Sequence, residues 1–302
     1  MNTPLELAST TAKLSEYIAV VGPGIEQGLL EHLPLLPDNN YKVFNDALRY
    51  ALFPGGKRLR PILTLLGAEI IGGHAQNVLT PAVAVEYIHN SSLIFDDLPC
   101  MDNATKRRGR SSLHIEYGEG PAVLVALALM NASYGLILGG TPLSCAIQAH
   151  RELVEGVGAR GMIAGQYLDL TASRVSAAAS NDLEALDKAR SLKTSALICI
   201  ALRIGAIFSG AAQGQLTTLL RFGSLLGDAF QIGDDIIDLK EDVGPFAQPA
   251  TFAGNQRTKD ARVHVASLIA QAKNMLVAEF GMTHATLLLC EIADYIAERE
   301  SP

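Results

Sequence analysis

Two short aspartate runs carry the residue types best suited to chemistry. The first, Asp96-Asp97-Leu98-Pro99-Cys100-Met101-Asp102, closes an apolar stretch that includes Ala84, Val85, Ile88, Leu93, Ile94 and Phe95. Carboxylates at a helix C-terminus lie at the wrong pole of the macrodipole, so something cationic must offset them. The second, Asp234-Asp235-Ile236-Ile237-Asp238, sets Asp234 and Asp238 one helical turn apart on a shared face. Like charges so placed repel, and a divalent cation between them removes the conflict. Mg²⁺ typically takes one or two protein carboxylates plus phosphate oxygens and water. Singly, the first run also reads as a solvated last turn, and the second as an exposed acidic face beside Ile232, Ile236 and Ile237. Their co-occurrence favours the metal.

The cationic half follows the same logic. Gly55-Gly56-Lys57-Arg58-Leu59-Arg60-Pro61 places three positive charges at a helix entry, beside glycines that let backbone approach a ligand closely. Lys106-Arg107-Arg108-Gly109-Arg110 comes just after the first acidic run. Arginine forks match phosphate oxygens, whereas lysine supplies a point charge. One site holding Mg²⁺ and diphosphate explains both basic runs. No Ser/His/Asp or Cys/His arrangement is evident, so a side-chain nucleophile is not expected.

The elements that must hold these groups read as helices. Strand signals are few: aromatics are 6% of the chain and hairpin punctuation is missing. Apolar spacing against Gly/Pro breaks predicts about ten helices, near 5–20, 40–52, 60–71, 80–97, 120–138, 142–170, 183–209, 213–240, 258–278 and 284–299. Segments 22–37, 171–181 and 242–254 read as loops. The expected fold class is all-α, one domain over residues 1–302, with helices bundled around a central cavity into which polar side chains project. No internal repeat is seen.

Composition narrows the function. A 302-residue chain that is 49% hydrophobic has ample material for a core, and its net charge of −7 without a long basic tract argues against nucleic acid. Cys100, Cys145, Cys199 and Cys290 are far apart, as reduced thiols of a cytoplasmic protein would be. Glu6, Lys13 and Glu16 interrupt the apolar stretch an export signal needs. The most apolar segment, Ala122 to Leu138, contains Asn131, Ser133 and Tyr134, and reads as a buried core helix rather than a membrane span.

On these motifs the sequence resembles the trans-isoprenyl diphosphate synthases, the family of farnesyl and geranylgeranyl diphosphate synthases, over about residues 40–275. The first aspartate run resembles the bacterial and plant form with its two-residue insertion. Gly56-Lys57-Arg58-Leu59-Arg60-Pro61, Arg107-Arg108-Gly109, Gly165-Gln166-Tyr167-Leu168-Asp169-Leu170, Lys193-Thr194 and Phe230-Gln231-Ile232-Gly233-Asp234-Asp235 match further family motifs in order. The resemblance implies that Lys57, Arg60, His89 and Arg108 hold isopentenyl diphosphate, and that Arg107, Lys193, Thr194 and Gln231 face the allylic diphosphate. It implies Asp96, Asp102 and Asp234 as main Mg²⁺ ligands, three ions being held with substrate, with Asp97, Asp235 and Asp238 beside them. It also suggests a homodimer. His89 alone, on an apolar helix, reads equally as a hydrogen-bonded core residue.

The implied reaction follows from charge. Breaking the allylic C–O bond leaves a carbocation and a diphosphate of growing negative charge. Metal ions and fixed cations aimed at that group contribute about 3–4 kcal/mol each in a dry site. The double bond of isopentenyl diphosphate then attacks, and a proton passes to the departing diphosphate. Ser91 and Ser92, one turn below Asp96, stand where a bulky aromatic would stop growth at fifteen carbons. An open floor points to a C20 product, with C15 as the alternative; serines serving only helix packing, with Met130 closing the tunnel, is the other reading of these positions. The sequence departs from the family at Pro249, where a lysine is expected, at Ala126, where an acid is expected, and at the less acidic Asn103-Ala104-Thr105-Lys106. These departures leave open a regulatory subunit of a heteromeric synthase, and a terpene cyclase less so.

Overall fold

The structure is a computed structural model describing residues 13–175, 192, 195–241 and 252–298, with side chains described over 13–171, 192, 195–233 and 259–298. The chain runs α1 (Leu14–Glu31), a 3₁₀ turn (Asn39–Tyr41), α2 (Lys42–Leu52), α3 (Leu59–Glu69) and α4 (Leu79–Asp97). A small hairpin, β1 (Lys106–Arg107) and β2 (Arg110–Ser111), leads to α5 (Leu113–Tyr117), α6 (Glu119–Leu138), α7 (Leu143–Val157) and α8 (Met162–Val175). The chain continues as α9 (Ala196–Phe208), α10 (Gln213–Glu241), α11 (Phe252–Phe280) and α12 (His284–Ala297).

Two helices organise the rest. A helix that is apolar all round must be covered on every side. In α4 the run from Pro81 to Ile88 is buried throughout, and α9 is buried at almost every position from Leu197 to Ile207. α4 packs against α6, α3, α1 and α9; α9 packs against α3, α10 and α7; α11 and α12 close the far side against α10. Where α3 meets α9 the backbones themselves touch. A Cβ on Gly67 would lie 2.2 Å from the Leu202 carbonyl oxygen, and one on Gly205 only 1.9 Å from that of Thr64. Only glycine permits that approach.

Several boundaries differ from the sequence reading. The expected loop at 22–37 is helical as far as Glu31, because Ile25, Gly28 and Leu29 bury themselves and Gly28 sits against Val83 and Leu79 of α4. Tertiary packing there outweighs Gly22, Pro23 and Gly24. The predicted helix at 142–170 is two helices, broken at Gly158–Gly161, where the N–H of Gly158 donates to the Val154 carbonyl and ends α7. The expected loop at 171–181 begins as the last turn of α8, and the loop at 242–254 lies mostly outside the described residues. The hairpin was not expected. It pairs Lys106 with Ser111 and Arg107 with Arg110, and its two central residues, Arg108 and Gly109, have φ of 52° and 75°. A two-residue turn with positive φ at both positions is the kind whose twist suits a hairpin.

Helix α6 corrects the reading of 122–138 as a buried core helix. Ala122, Val125, Ala126, Leu129, Ser133 and Ile137 are buried, but Leu124, Leu127 and Leu138 are exposed. Among the described residues it is the one helix long and apolar enough to cross a membrane by length and composition. One stripe packs on α4, and the other faces outward.

Candidate active site

The turn into α3 is built around a buried arginine. Arg58 has φ 50° and ψ 35°, in the left-handed region, and its guanidinium points inward. Nε and Nη2 donate to Glu26 at 2.7 and 3.1 Å, Nη1 to Glu86 at 2.8 Å, and Nη2 also to the Leu52 carbonyl at 2.7 Å. Gly55 makes room, since a Cβ there would lie 2.0 Å from the Arg58 Cζ. Of the three cations read at this entry, Arg58 is therefore committed to the interior. That leaves Lys57, exposed with its ammonium donating to the Tyr295 hydroxyl, and Arg60, which lines a large cavity.

The first acidic run divides in the same way. Asp97 is 4% exposed, and its carboxylate is gripped by Arg107, with Nε at 3.1 Å from Oδ1 and Nη2 closer still. Expected beside the Mg²⁺ ligands, Asp97 has a cation of its own in Arg107. Arg107 is correspondingly held charged by the Asp97 hydrogen bonds, burial working against this and the Asp97, Asp96 and Asp102 charges adding to it. Asp96 and Asp102 remain. The Asp102 N–H donates to the Asp96 carbonyl at 2.9 Å, and the Met101 and Asn103 N–H groups both bond to the Leu98 carbonyl. This tight loop returns Asp102 beside Asp96, with Asp96 half-buried and Asp102 exposed. Two adjacent carboxylates reachable from solvent fit the donor set Mg²⁺ accepts.

Arg108 sits at the hairpin tip, across the bare α-carbon of Gly56, where a Cβ would meet its guanidinium at 3.1 Å. Partial withdrawal from water lowers its pKa first, and the Arg58 and Arg107 cations lower it further, against the pull of Glu86. Crowded cations of this kind gain from an incoming anion. Arg58, Asn103 and Arg108 are the non-glycine residues with positive φ among those described, and all three lie in this region. Backbone strain commonly collects at functional sites.

Behind the acidic loop lies a cavity of about 580 Å³. Arg60, His89 and Asp96 line it, and the remaining walls include Phe95, Met101, Met130, Met162, Leu197 and Phe230. His89 is pushed well below its ordinary value of 6.5, first by burial and then by Arg60, Arg108, Arg107 and Arg58, so it is neutral at pH 7. Ser91 and Ser92, expected together at the tunnel floor, are placed differently. Ser92 lines the cavity, its hydroxyl bonded to the His89 carbonyl at 2.8 Å. Ser91 does not: it is fully buried and donates to the Ala126 carbonyl at 2.9 Å, locking α4 onto α6. Ala126 itself is buried at that crossing, so no acid could sit there without cost.

Gln166 of α8 is a site residue to which the sequence reading gave no role. It lines the cavity, and its Oε1 and Nε2 are both shielded from solvent without a hydrogen-bond partner. An unsatisfied amide aimed into an apolar chamber is costly unless a ligand completes it. Its place in the Gly165-Gln166 motif was the available signal. Gln231 is half-buried on α10, next to the cavity-lining Phe230. Asp234 and Asp238 follow Phe230 at four-residue steps along the same helix; the side chains of Asp234, Asp235 and Asp238, and Lys193, Thr194 and Pro249, lie outside the described residues.

An all-helical scaffold with an acidic and basic mouth over a deep apolar chamber defines a protein that handles a molecule with a phosphorylated head and a hydrocarbon tail. The comparisons give the particular family: residues 41–251 match the polyprenyl synthetase model, and the chain belongs to that family. It is 37% identical over 272 residues to a chloroplastic geranylgeranyl pyrophosphate synthase of Capsicum annuum, spanning 86% of this chain and 72% of that one. It is 33% identical over 311 residues to a dimethylallyltranstransferase of Fischerella ambigua, spanning 99% and 87%. Among solved structures, an FPP/GFPP synthase from Zymomonas mobilis superposes with a TM-score of 0.82 at 31% identity, covering 94% of this chain and 98% of that one.

Proposed function

We propose that the chain condenses isopentenyl diphosphate with allylic diphosphates and releases geranylgeranyl diphosphate as its main product. The observation that carries this reading is the shared cavity: Arg60, His89 and Asp96 line the same 580 Å³ chamber as Phe95, Met130, Met162 and Leu197. A diphosphate head at the mouth thus has an apolar space for its tail. Family membership and the resemblance to a geranylgeranyl pyrophosphate synthase support the chemistry and the C20 length.

In this reading Lys57, Arg60 and Arg108 bind the diphosphate of isopentenyl diphosphate beside the neutral His89. Asp96 and Asp102, with Asp234 and Asp238 of the second run, would hold Mg²⁺, which supplies Lewis-acid stabilisation of the leaving diphosphate. Asp97 keeps Arg107 aimed, and Arg107, Lys193, Thr194 and Gln231 serve the allylic side. The Gln166 amide completes its hydrogen bonds on the bound allylic substrate. Apolar walls exclude water from the carbocation, so attack by the isopentenyl double bond wins over hydrolysis.

A second copy of the chain is proposed to cover the outer stripe of α6. Leu124, Leu127 and Leu138 are exposed there, and Leu143 and Ile147 of the neighbouring α7 are exposed as well. Light scattering of the purified protein tests this directly, a monomeric mass being the contrary result.

The deciding experiment incubates the protein with Mg²⁺, isopentenyl diphosphate and each of the C5, C10 and C15 allylic diphosphates, sizing products by mass spectrometry. Growth in five-carbon steps ending at C20 supports the reading. Cyclised products, or no products with any primer, would overturn it. Asp96→Asn should lower turnover by orders of magnitude while the fold persists.

A further inference from the structure

We infer that Tyr295, on the last helix, is a positioning residue for Lys57, orienting its ammonium toward the diphosphate of isopentenyl diphosphate. The inference rests on the assignment of Lys57 to that substrate. Lys57 Nζ donates to the Tyr295 hydroxyl and stands 5.2 Å from the centroid of the same ring, beyond the oxygen and close to the ring plane, so the phenol engages the cation through its oxygen. Apart from this contact, the Lys57 side chain is exposed and long, with many rotamers open to it.

Both ends of the contact are fixed. On one side, Arg58 follows Lys57 directly, and its buried guanidinium is tied to Glu26, Glu86 and the Leu52 carbonyl, which pins the backbone from which Lys57 projects. On the other, Tyr295 lies in the last turn of α12 between two anchors. Asp294 pairs with Lys273 of α11 at 2.7 and 2.9 Å, and Ile296 is 3% exposed. Tyr295 itself is 41% exposed, so its hydroxyl end can reach Lys57 at the surface. The chemistry suits preorganisation. A phenol oxygen accepts one of the three ammonium protons without neutralising the charge, leaving two for phosphate oxygens, and its own O–H is free to donate. Restricting Lys57 before substrate arrives removes an ordering cost from the binding step.

The test is calorimetric titration with isopentenyl diphosphate in the absence of any allylic partner, together with initial rates at saturating geranyl diphosphate. Tyr295→Phe keeps the ring and loses the oxygen; it should raise Kd and KM for isopentenyl diphosphate about three- to tenfold. Its kcat, its KM for geranyl diphosphate and its thermal midpoint should stay near wild type. Tyr295→Leu should match Tyr295→Phe, since the oxygen alone meets the ammonium, and Tyr295→Phe added to Lys57→Ala should cost nothing beyond Lys57→Ala alone. If Lys57→Ala weakens binding but Tyr295→Phe does not, or if the two losses add in full, the positioning role is wrong while Lys57 keeps its place. If Lys57→Ala leaves binding unchanged, the substrate assignment of Lys57 itself fails.

Discussion

Replacing Glu86 by Gln tests how the turn into α3 is held. The Arg58 and Glu86 side chains are 6% and 2% exposed, whereas the second carboxylate on Arg58, Glu26, is 44% exposed. Gln retains the acceptor used by Arg58 Nη1 at 2.8 Å and by Asn90 Nδ2 at 3.0 Å, so the substitution removes charge and little else. Breaking a buried pair typically costs about 3–5 kcal/mol. With the hydrogen bonds kept and Glu26 still in place, about 2–3 kcal/mol is expected for Glu86→Gln. Glu26→Gln faces water and should cost about 1 kcal/mol or less. Urea unfolding followed by circular dichroism separates the two, with the Glu86→Gln midpoint lower by up to about 1 M at unchanged slope. Should Glu26→Gln cost as much as Glu86→Gln, burial would not be what gives this network its strength.

Ser92→Phe is expected to shorten the main product by at least one five-carbon unit, whereas Ser91→Phe, overpacking the α4–α6 crossing, should cost about 1–3 kcal/mol of stability; mass spectrometry and thermal melts distinguish them. Gln166→Leu should stabilise the unliganded protein by about 1–3 kcal/mol while lowering kcat/KM, and a variant that is neither more stable nor less active would remove Gln166 from the site. His89 titrates below 6.5 in the folded chain, so the unfolded state takes up its proton first. Stability should fall as pH drops from about 6.5 toward the folded-state value, and His89→Gln should flatten that slope in paired urea titrations.

The helical fold was legible because α4, α9 and the bundle around them keep a strong apolar periodicity, and the acidic and basic runs stood out by type and spacing. What failed depends on direction rather than composition. Arg58 and Arg60 stand two residues apart with the same charge, yet a left-handed φ turns Arg58 to Glu26 and Glu86 while Arg60 reaches the cavity. Asp96 and Asp97 differ likewise, one lining the cavity and one gripped by Arg107. Ser91 and Ser92 are neighbours on a helix, some 100° apart in azimuth, and here Ser92 turns to the chamber while Ser91 turns to the α4–α6 crossing. None of these distinctions is written in local sequence; each is set by which helix packs alongside. Helix α1 shows the converse, with a Gly-Pro-Gly run that reads as a break but is carried through by contact with α4.

Met101, Met130 and Met162 give the hydrocarbon chamber three unbranched thioether side chains. Such side chains conform to a tail of any length rather than moulding one, which suits a lining that must greet a lengthening occupant at each step. The same sulfurs are chemically soft. Conversion of one to its sulfoxide would plant a polar, chiral S=O in the path of the tail, so oxidative damage to this protein should surface as altered chain length before it surfaces as lost fold.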